Sequence, residues 1–474
     1  MTNCLASRAT KFSVVEPDAG ILQSMNSAAG DARLPRRAFL ASLAAAGLAG
    51  ARATHAQSPV APAVDAAALR QRIEALSVFG RPSGGRFADG VSRVAYSDAD
   101  VAGREYVMGL MRAARLAPRI DPAGNIFGRR DGADRSLEPI LFGSHIDSVP
   151  SGGNFDGDLG TLAGLGLIEA LDAAGVRTRH PLELVVWAAE EGVAFNRGLS
   201  ASRIVAGDVA PSDMDQVWNG LRRGDAIRKI GGDPERIMEA RREKGAWRGY
   251  FELHIEQGGS LERSTTDIGV VQGIVAIERF EATITGFANH AGTTPMADRQ
   301  DAVVALSHLA LAVREIVTSR PGRQVGTVGR IEVSPNAPNV VPGEARAIIE
   351  LRDLSTATLQ AIADDIRLRA QAIAAQTRTS IAIVPVSSNT PALADAVMQD
   401  LVERAAGALK LSSVRMPSGA GHDAQMMAQL TPMGMIFVPS VGGVSHSPKE
   451  LTRWQDCANG ATVLLHAVLA LDRV

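Results

Sequence analysis

Short apolar runs alternate with amphipathic stretches along most of the chain, the pattern of an α/β protein. Val64–Leu76 and Asp98–Leu116 carry helical periodicity, the second closing before Pro118. Pro139–Ser144 predicts a short buried strand that delivers His145 at its carboxyl end. Gly160–Ala174 reads as a helix rich in small residues, and Leu182–Ala189 as the next buried strand, with Glu190 and Glu191 at its mouth. Tyr250–Glu256 alternates strictly: Phe251, Leu253 and Ile255 face one side, Glu252, His254 and Glu256 the other. Such a strand is an exposed edge or the wall of a site, and the acidic cluster upstream favours the wall.

The pattern changes at Ile274. Phe280, Ala282 and Ile284 alternate with Glu281, Thr283 and Thr285, which predicts a half-buried strand. A helix is expected from Thr294-Pro295, with Val303, Leu306, Leu309, Val313 and Ile316 on one stripe that is either core or a dimer contact. Strands Gly326–Val333 and Ala345–Leu351, a helix from Ser355 through Gln376 and strand Ser380–Val386 complete a βαββαβ order, the ferredoxin-like unit of roughly 100 residues. The organisation expected is a main domain over 59–273, an inserted domain over 274–388, and a return to the first domain over 389–474 that opens with a helix, Leu393–Ala406. The fold class is α/β: a mixed-sheet main domain interrupted by an inserted ferredoxin-like (βαββαβ) domain.

Composition narrows the function. Of 474 residues 46% are hydrophobic, enough for two or three real cores. The formal net charge is −2 and no basic block interrupts the body, which argues against nucleic acid as a partner. Cys4 and Cys457 give neither a disulfide framework nor a thiolate metal site, so any metal here is held by His, Asp and Glu. Residues 1–57 read as an address. Arg36-Arg37 followed by a weakly apolar run resembles a twin-arginine export signal, with Ala51-Arg52-Ala53 and Thr54-His55-Ala56 as cleavage sites and Met25 as an alternative start. The apolar run is about 13 residues, short of the ~20 a spanning helix needs, so a periplasmic enzyme without a stable membrane anchor is expected.

His145, Asp147, Asp156, Glu190, Glu191 and His254 fall at or just beyond the ends of apolar strands, which is where two divalent metals can be held near one water. Asp147 suits the second nitrogen of His145. Asp156 follows Gly152-Gly153 and precedes Gly157, where the backbone turns tightly. Two buried anions side by side at Glu190-Glu191 repel unless cations or protons neutralise them, and the simplest division is one ligand and one general base. His254 and His446 supply further nitrogens, the latter from a loop, Gly442–Pro448, with no packing reason for an imidazole. His422 either supports the site or, with Asp423, caps the following helix; His180, His308 and His466 read as structural or solvent-facing.

Taken together these motifs resemble the N-carbamoyl-L-amino-acid hydrolase and allantoate amidohydrolase family, a branch of the dinuclear M20 metallopeptidases of the aminoacylase and carboxypeptidase G2 type. The likeness runs from Gly90-Val91-Ser92-Arg93 through Asp121–Asn125 to Ser445-His446-Ser447-Pro448, and its most specific marker is Phe251–Gly258, where related peptidases carry an acidic ligand in place of His254. The resemblance implies two divalent ions per subunit, zinc or manganese with cobalt as an alternative. Asp156 would bridge them, His145 and His254 completing one site, Glu191 and His446 the other, with Glu190 as general base. It further implies a homodimer in which His290, within Ala288–Met296, reaches a site across the interface and steadies the oxyanion. Asn339 and Arg352 would bind the carboxylate of a small ureido or carbamoyl substrate. On its own, the face shared by Arg346, Ile348, Glu350 and Arg352 reads as a solvated charged face. Gln257 is a further candidate for the ureido group. One departure is Ala201-Ser202, where the family carries a Gly-Ser pair. A peptidase or aminoacylase, and a non-catalytic metal-binding relative, are the competing expectations.

Overall fold

A computed structural model describes residues 62–474; the export segment expected over 1–57 lies outside the described residues. The main sheet has nine strands. Its centre is four parallel neighbours, in the order Leu182–Trp187, Ile140–His145, Gly249–Ile255 and Met433–Val438. Antiparallel strands flank them: Ile126–Arg130 on one side and Ile268–Ile274 on the other, the latter also pairing with Ala392–Leu393 and, in parallel, with Ser413–Ser418. The four central strands are buried at every position, because helices and loops cover both faces. Gly249–Ile255 is therefore a central strand. Its alternation reflects a buried polar network on one side, not a solvated edge.

On one face pack the helices Ala66–Leu76, Asp158–Ala173, Ala396–Ala408 and Trp454–Asp472. On the other, Trp187, Tyr250, Phe437 and Met427 close a second apolar layer. Arg93 is buried beneath the first face. Its guanidinium donates to the carbonyls of Ile146 at 2.6 Å, Leu76 at 3.0 Å and Phe79 at 2.8 Å, and to the carboxylate of Asp158. An arginine so fully satisfied ties the start of the Asp158–Ala173 helix to the segment behind His145, which fixes the turn carrying Asp156.

The second sheet has four antiparallel strands in the order Val325–Ser334, Glu344–Asp353, Ala276–Thr285, Ser380–Ser388. Helices Ala302–Thr318 and Thr356–Thr377 share one apolar core with its inward residues Ala345, Ala347, Ile349 and Leu351. This is the split βαββαβ arrangement. Leu306, Leu309, Val313 and Ile316 are part of that core, so the apolar stripe of the first helix is no dimer contact. The helix begins at Ala302, not at Thr294-Pro295, because the Asp301 carboxylate caps it by accepting from the N–H groups of Val303 and Val304. Likewise the helix expected from Leu393 starts at Ala396, capped by Asp395, while Leu393 extends the main sheet. Among the described residues no helix is long and apolar enough to cross a membrane.

Candidate metal centre

The carboxyl ends of the four parallel strands point to one side, and the acidic cluster is built there. His145 ends its strand and His254 nearly ends its own; Glu190 and Glu191 follow Leu182–Trp187, and His446 follows Met433–Val438 by a loop. Asp156 comes from the turn between Ile140–His145 and the helix Asp158–Ala173.

Asp156 divides the cluster in two. Its Oδ1 lies 3.0 Å from His254 Nε2 and 3.5 Å from His145 Nε2; its Oδ2 lies 3.5 Å from His446 Nε2. Glu191 Oε2 is 3.2 Å from the same His446 nitrogen. Within each of the groups His145–Asp156–His254 and Asp156–Glu191–His446, the ligand atoms lie within 4.8 Å of one another.

Both buried imidazoles are held in one tautomer. His145 Nδ1 donates to the Asp147 carbonyl at 3.0 Å and His254 Nδ1 to the Ile255 carbonyl at 2.9 Å, since a carbonyl oxygen only accepts. In the neutral rings this makes each Nε2 the lone-pair nitrogen aimed into the cluster, and neither Nε2 has a hydrogen-bond partner despite full burial. Two orphaned imidazole nitrogens facing a shared carboxylate are the donor set of a divalent metal.

The electrostatics agree. Burial first, then the surrounding carboxylates, raise Glu190 and Glu191 well above the ordinary range. Burial works against charge on His145, but Glu190, Asp156 and Asp147 outweigh it and raise the imidazole well above its usual value. A site this rich in buried anions is built for cations.

Gly157 makes the close packing possible. Its φ is +66°, and a Cβ there would sit 2.4–2.6 Å from three atoms of the His145 ring.

Asp147 does not hold His145 by its carboxylate, which lies 3.7 Å from Nδ1. Its backbone carbonyl takes that role, and the carboxylate instead accepts the N–H groups of Glu190 at 3.1 Å and Glu191 at 3.2 Å. Glu190 belongs to neither ligand group; its Oε2 stands 3.8 Å from His145 Nε2.

Gln257 donates to Asp156 Oδ2 at 2.7 Å and lines a 680 Å³ cavity together with Arg352, Arg323 and Phe437. Arg352 belongs to a charged strand face, as its neighbours on the strand suggest. It pairs with Glu350 at 2.7 Å, and it also reaches the main domain, donating to the Gly419 carbonyl at 2.6 Å. His290 and Asn339 are exposed, adjacent through the Ala291 N–H to Asn339 carbonyl bond at 3.0 Å, and neither lines that cavity.

His422 supports the site: its ring packs edge-on against His254 with centroids 4.5 Å apart, and its Nε2 bonds Ser418 Oγ at 2.9 Å. Asp423 makes no cap; it accepts the Ser202 hydroxyl at 2.5 Å, so the Ala201-Ser202 departure sits in a satisfied, buried contact. His180 is bonded to the Glu138 carbonyl at 2.9 Å and His466 to that of Pro62 at 3.0 Å, both away from the cluster.

Glu450 escaped the sequence reading, and Glu252 was placed only on the face read as a site wall, without a role. Glu252 accepts from Ser144 at 2.8 Å, Tyr250 at 3.0 Å and the Ala424 N–H at 3.0 Å, tying three elements beneath His254. Glu450 accepts the Phe155 and Asp156 N–H groups at 2.9 and 3.1 Å and the Ser445 hydroxyl at 2.8 Å. Its only sequence signal is proximity to His446.

A mixed α/β sheet with paired ligand groups sharing one aspartate at its carboxyl edge defines a metal-dependent hydrolase. The chain belongs to the peptidase family M20/M25/M40, which matches residues 141–470. It is 38% identical over 405 residues to an N-carbamoyl-L-amino acid amidohydrolase of Geobacillus stearothermophilus, covering 85% of this chain and 98% of that one. It is 36% identical over 421 residues to a ureidoglycolate hydrolase of Arabidopsis thaliana, covering 86% and 87%. A hydantoinase/carbamoylase-family amidase of Burkholderia multivorans superposes with a TM-score of 0.80 at 34% identity, covering 86% of this chain and 98% of that structure.

Proposed function

We propose that the protein is a dinuclear amidohydrolase that cleaves the carbamoyl C–N bond of an N-carbamoyl-L-amino acid, giving the amino acid, carbon dioxide and ammonia. The observation that carries this reading is the pair of ligand groups sharing Asp156, with Glu190 beside them but in neither. Two ions are assigned, one to His145, Asp156 and His254, the other to Asp156, Glu191 and His446. Mixed nitrogen and oxygen donors suit zinc, manganese or cobalt. Ions held there would supply Lewis-acid activation of water, lowering its pKa from ~15.7 toward ~7.

Glu190, outside both ligand groups, would serve as general base, taking a proton from the attacking water and giving it to the leaving nitrogen. Its backbone is held by Asp147, which keeps its carboxylate beside the cluster. Arg352 meets the substrate carboxylate with its planar fork, exchanging its contact with Gly419 for that anion. Gln257 faces the same cavity and orients the ureido group.

His290 and Asn339 stand exposed, so a single chain leaves the oxyanion and carboxylate contacts incomplete. A homodimer in which a partner supplies His290 completes them. Mixing inactive Glu190→Gln and His290→Ala chains tests this: restored activity in the mixture supports a shared site, and none argues for a self-contained one. Export to the periplasm by the twin-arginine route rests on Arg36-Arg37 and the apolar run after them; retention of an Arg36→Lys/Arg37→Lys variant in the cytoplasm is its test.

Ammonia release by the purified mature chain, reloaded with manganese or zinc, tests the reaction. The panel is N-carbamoyl-L-amino acids, ureidoglycolate, allantoate and N-acetyl amino acids. Turnover of a carbamoyl amino acid that chelation abolishes is expected. Preference for ureidoglycolate or allantoate selects the second reading, which the plant relative favours. Activity on acetylated substrates alone, or none with metals bound, overturns both.

A further inference from the structure

We propose that Glu450 is a positioning residue that latches the His446 loop to the Asp156 turn, and so sets the metal affinity of the Asp156–Glu191–His446 half of the cluster more strongly than that of the His145–His254 half. The inference rests on the dinuclear reading above and extends it to a residue outside both ligand groups.

The two halves are fixed by different means. In the first half both rings are oriented by backbone carbonyls at or beside strand ends, those of Asp147 and Ile255. His446 has no such support. It follows the end of Met433–Val438 by a loop that passes through Gly442 and Gly443 at φ +64° and +65°, adopts φ +54° itself, and leaves its side chain 49% exposed. Nothing in the regular structure sets where its ring lies.

Glu450 supplies the missing constraint. The residue is only 4% exposed, and each of its carboxylate oxygens is used. Oε1 accepts the Phe155 and Asp156 N–H groups at 2.9 and 3.1 Å, and so grips the backbone of the bridging aspartate. Oε2 meets the hydroxyl of Ser445, the neighbour of His446, at 2.8 Å. The same hydroxyl is 3.0 Å from Asp156 Oδ2, so Ser445, Asp156 and Glu450 form a closed triangle beside the ligand. The seat is built for this side chain: a Cβ at Gly153 would lie 2.0 Å from Glu450 Oε1. Residues that orient ligands from behind in this way typically change metal affinity 10- to 100-fold when removed.

The test is metal content of the full-length protein, dialysed against graded chelator and measured by mass spectrometry, for wild type, Glu450→Ala and Glu450→Gln. Wild type is expected to hold two ions per chain. Glu450→Ala should keep one and bind the second at least ten-fold more weakly. Glu450→Gln, whose amide oxygen still accepts the two N–H groups, should fall between them. With cobalt, only one of the two absorption components should be lost. A Glu450→Ala protein that holds both ions as tightly as wild type, or loses both in parallel, overturns the latch. If that variant does not fold, Glu450→Gln and Ser445→Ala decide by the same criterion. Wild type holding fewer than two ions would instead overturn the dinuclear reading on which the latch depends.

Discussion

Asp147 holds Glu190 by its backbone, not by its side chain: the Asp147 carboxylate accepts the Glu190 N–H at 3.1 Å while its other oxygen takes the Glu191 N–H at 3.2 Å. The turn at Ala189, with φ +55°, aims both amides at that one carboxylate. Base and ligand are therefore positioned together. Asp147→Asn keeps one acceptor and turns an NH₂ group toward the other amide. It should lower kcat about 10- to 100-fold and weaken metal binding, with little change in KM. Steady-state kinetics beside a metal titration check this; a rise in KM alone would place Asp147 in substrate binding instead.

Glu190 lies in neither ligand group, so its amide should cost catalysis without costing metal. Glu190→Gln is expected to retain wild-type metal content and to lose about 10²–10⁴-fold in kcat, the span of a general acid–base group. Metal analysis and ammonia release on the same sample measure both. Loss of an ion would make Glu190 a ligand, and near-normal turnover would remove it from the mechanism.

How far the sequence could be read follows from what each residue depends on. His145, Glu190, Glu191 and His254 sit at or near strand ends, which period-2 and apolar-run patterns locate well, and Asp156 sits in a glycine-flanked turn just before a helix. Asp147 was legible as a site residue but not by its partner. A carbonyl two residues away competes for His145 Nδ1, and pattern alone cannot rank the two. Glu450 acts on Asp156 across 294 positions of sequence, so only the fold brings them together. The starts of two helices were misplaced because Asp301 and Asp395 cap them, and a capping aspartate outweighs an upstream proline turn or a leucine at the helix period.

Gly157 is a point where backbone and site coincide. A Cβ there needs φ +66° and meets three His145 ring atoms at 2.4–2.6 Å. Gly157→Ala should therefore push His145 away and empty its half of the cluster, the converse of the Glu450 variants. The conformation, φ +66° with ψ −46°, is one L-residues rarely adopt and alone costs roughly 1–3 kcal/mol. Metal analysis should show one ion retained. Two ions at wild-type affinity would mean that the ring relaxes without moving its Nε2.

A group outside both ligand groups, though it feels the Asp147 carboxylate, gives a pH signature. Asp100 is 4% exposed; burial, opposed by Arg104, pushes its carboxyl from 3.8 up to about 6. The folded chain thus binds the proton more tightly than the unfolded chain. The sign follows: the stabilising contribution is complete below about pH 4 and is lost as pH rises through about 6. Roughly two pH units at ~1.4 kcal/mol each make this about 3 kcal/mol. Asp100→Asn keeps an oxygen for the Tyr96 N–H, which Asp100 accepts at 2.7 Å, and removes the titration. The variant should therefore gain about 3 kcal/mol relative to wild type between pH 4 and pH 7. Urea unfolding of both chains across that range measures the difference, and loss of metal from protonated histidines cancels because both chains share it. A difference that stays flat with pH would show that the Asp100 proton is bound no more tightly in the folded chain.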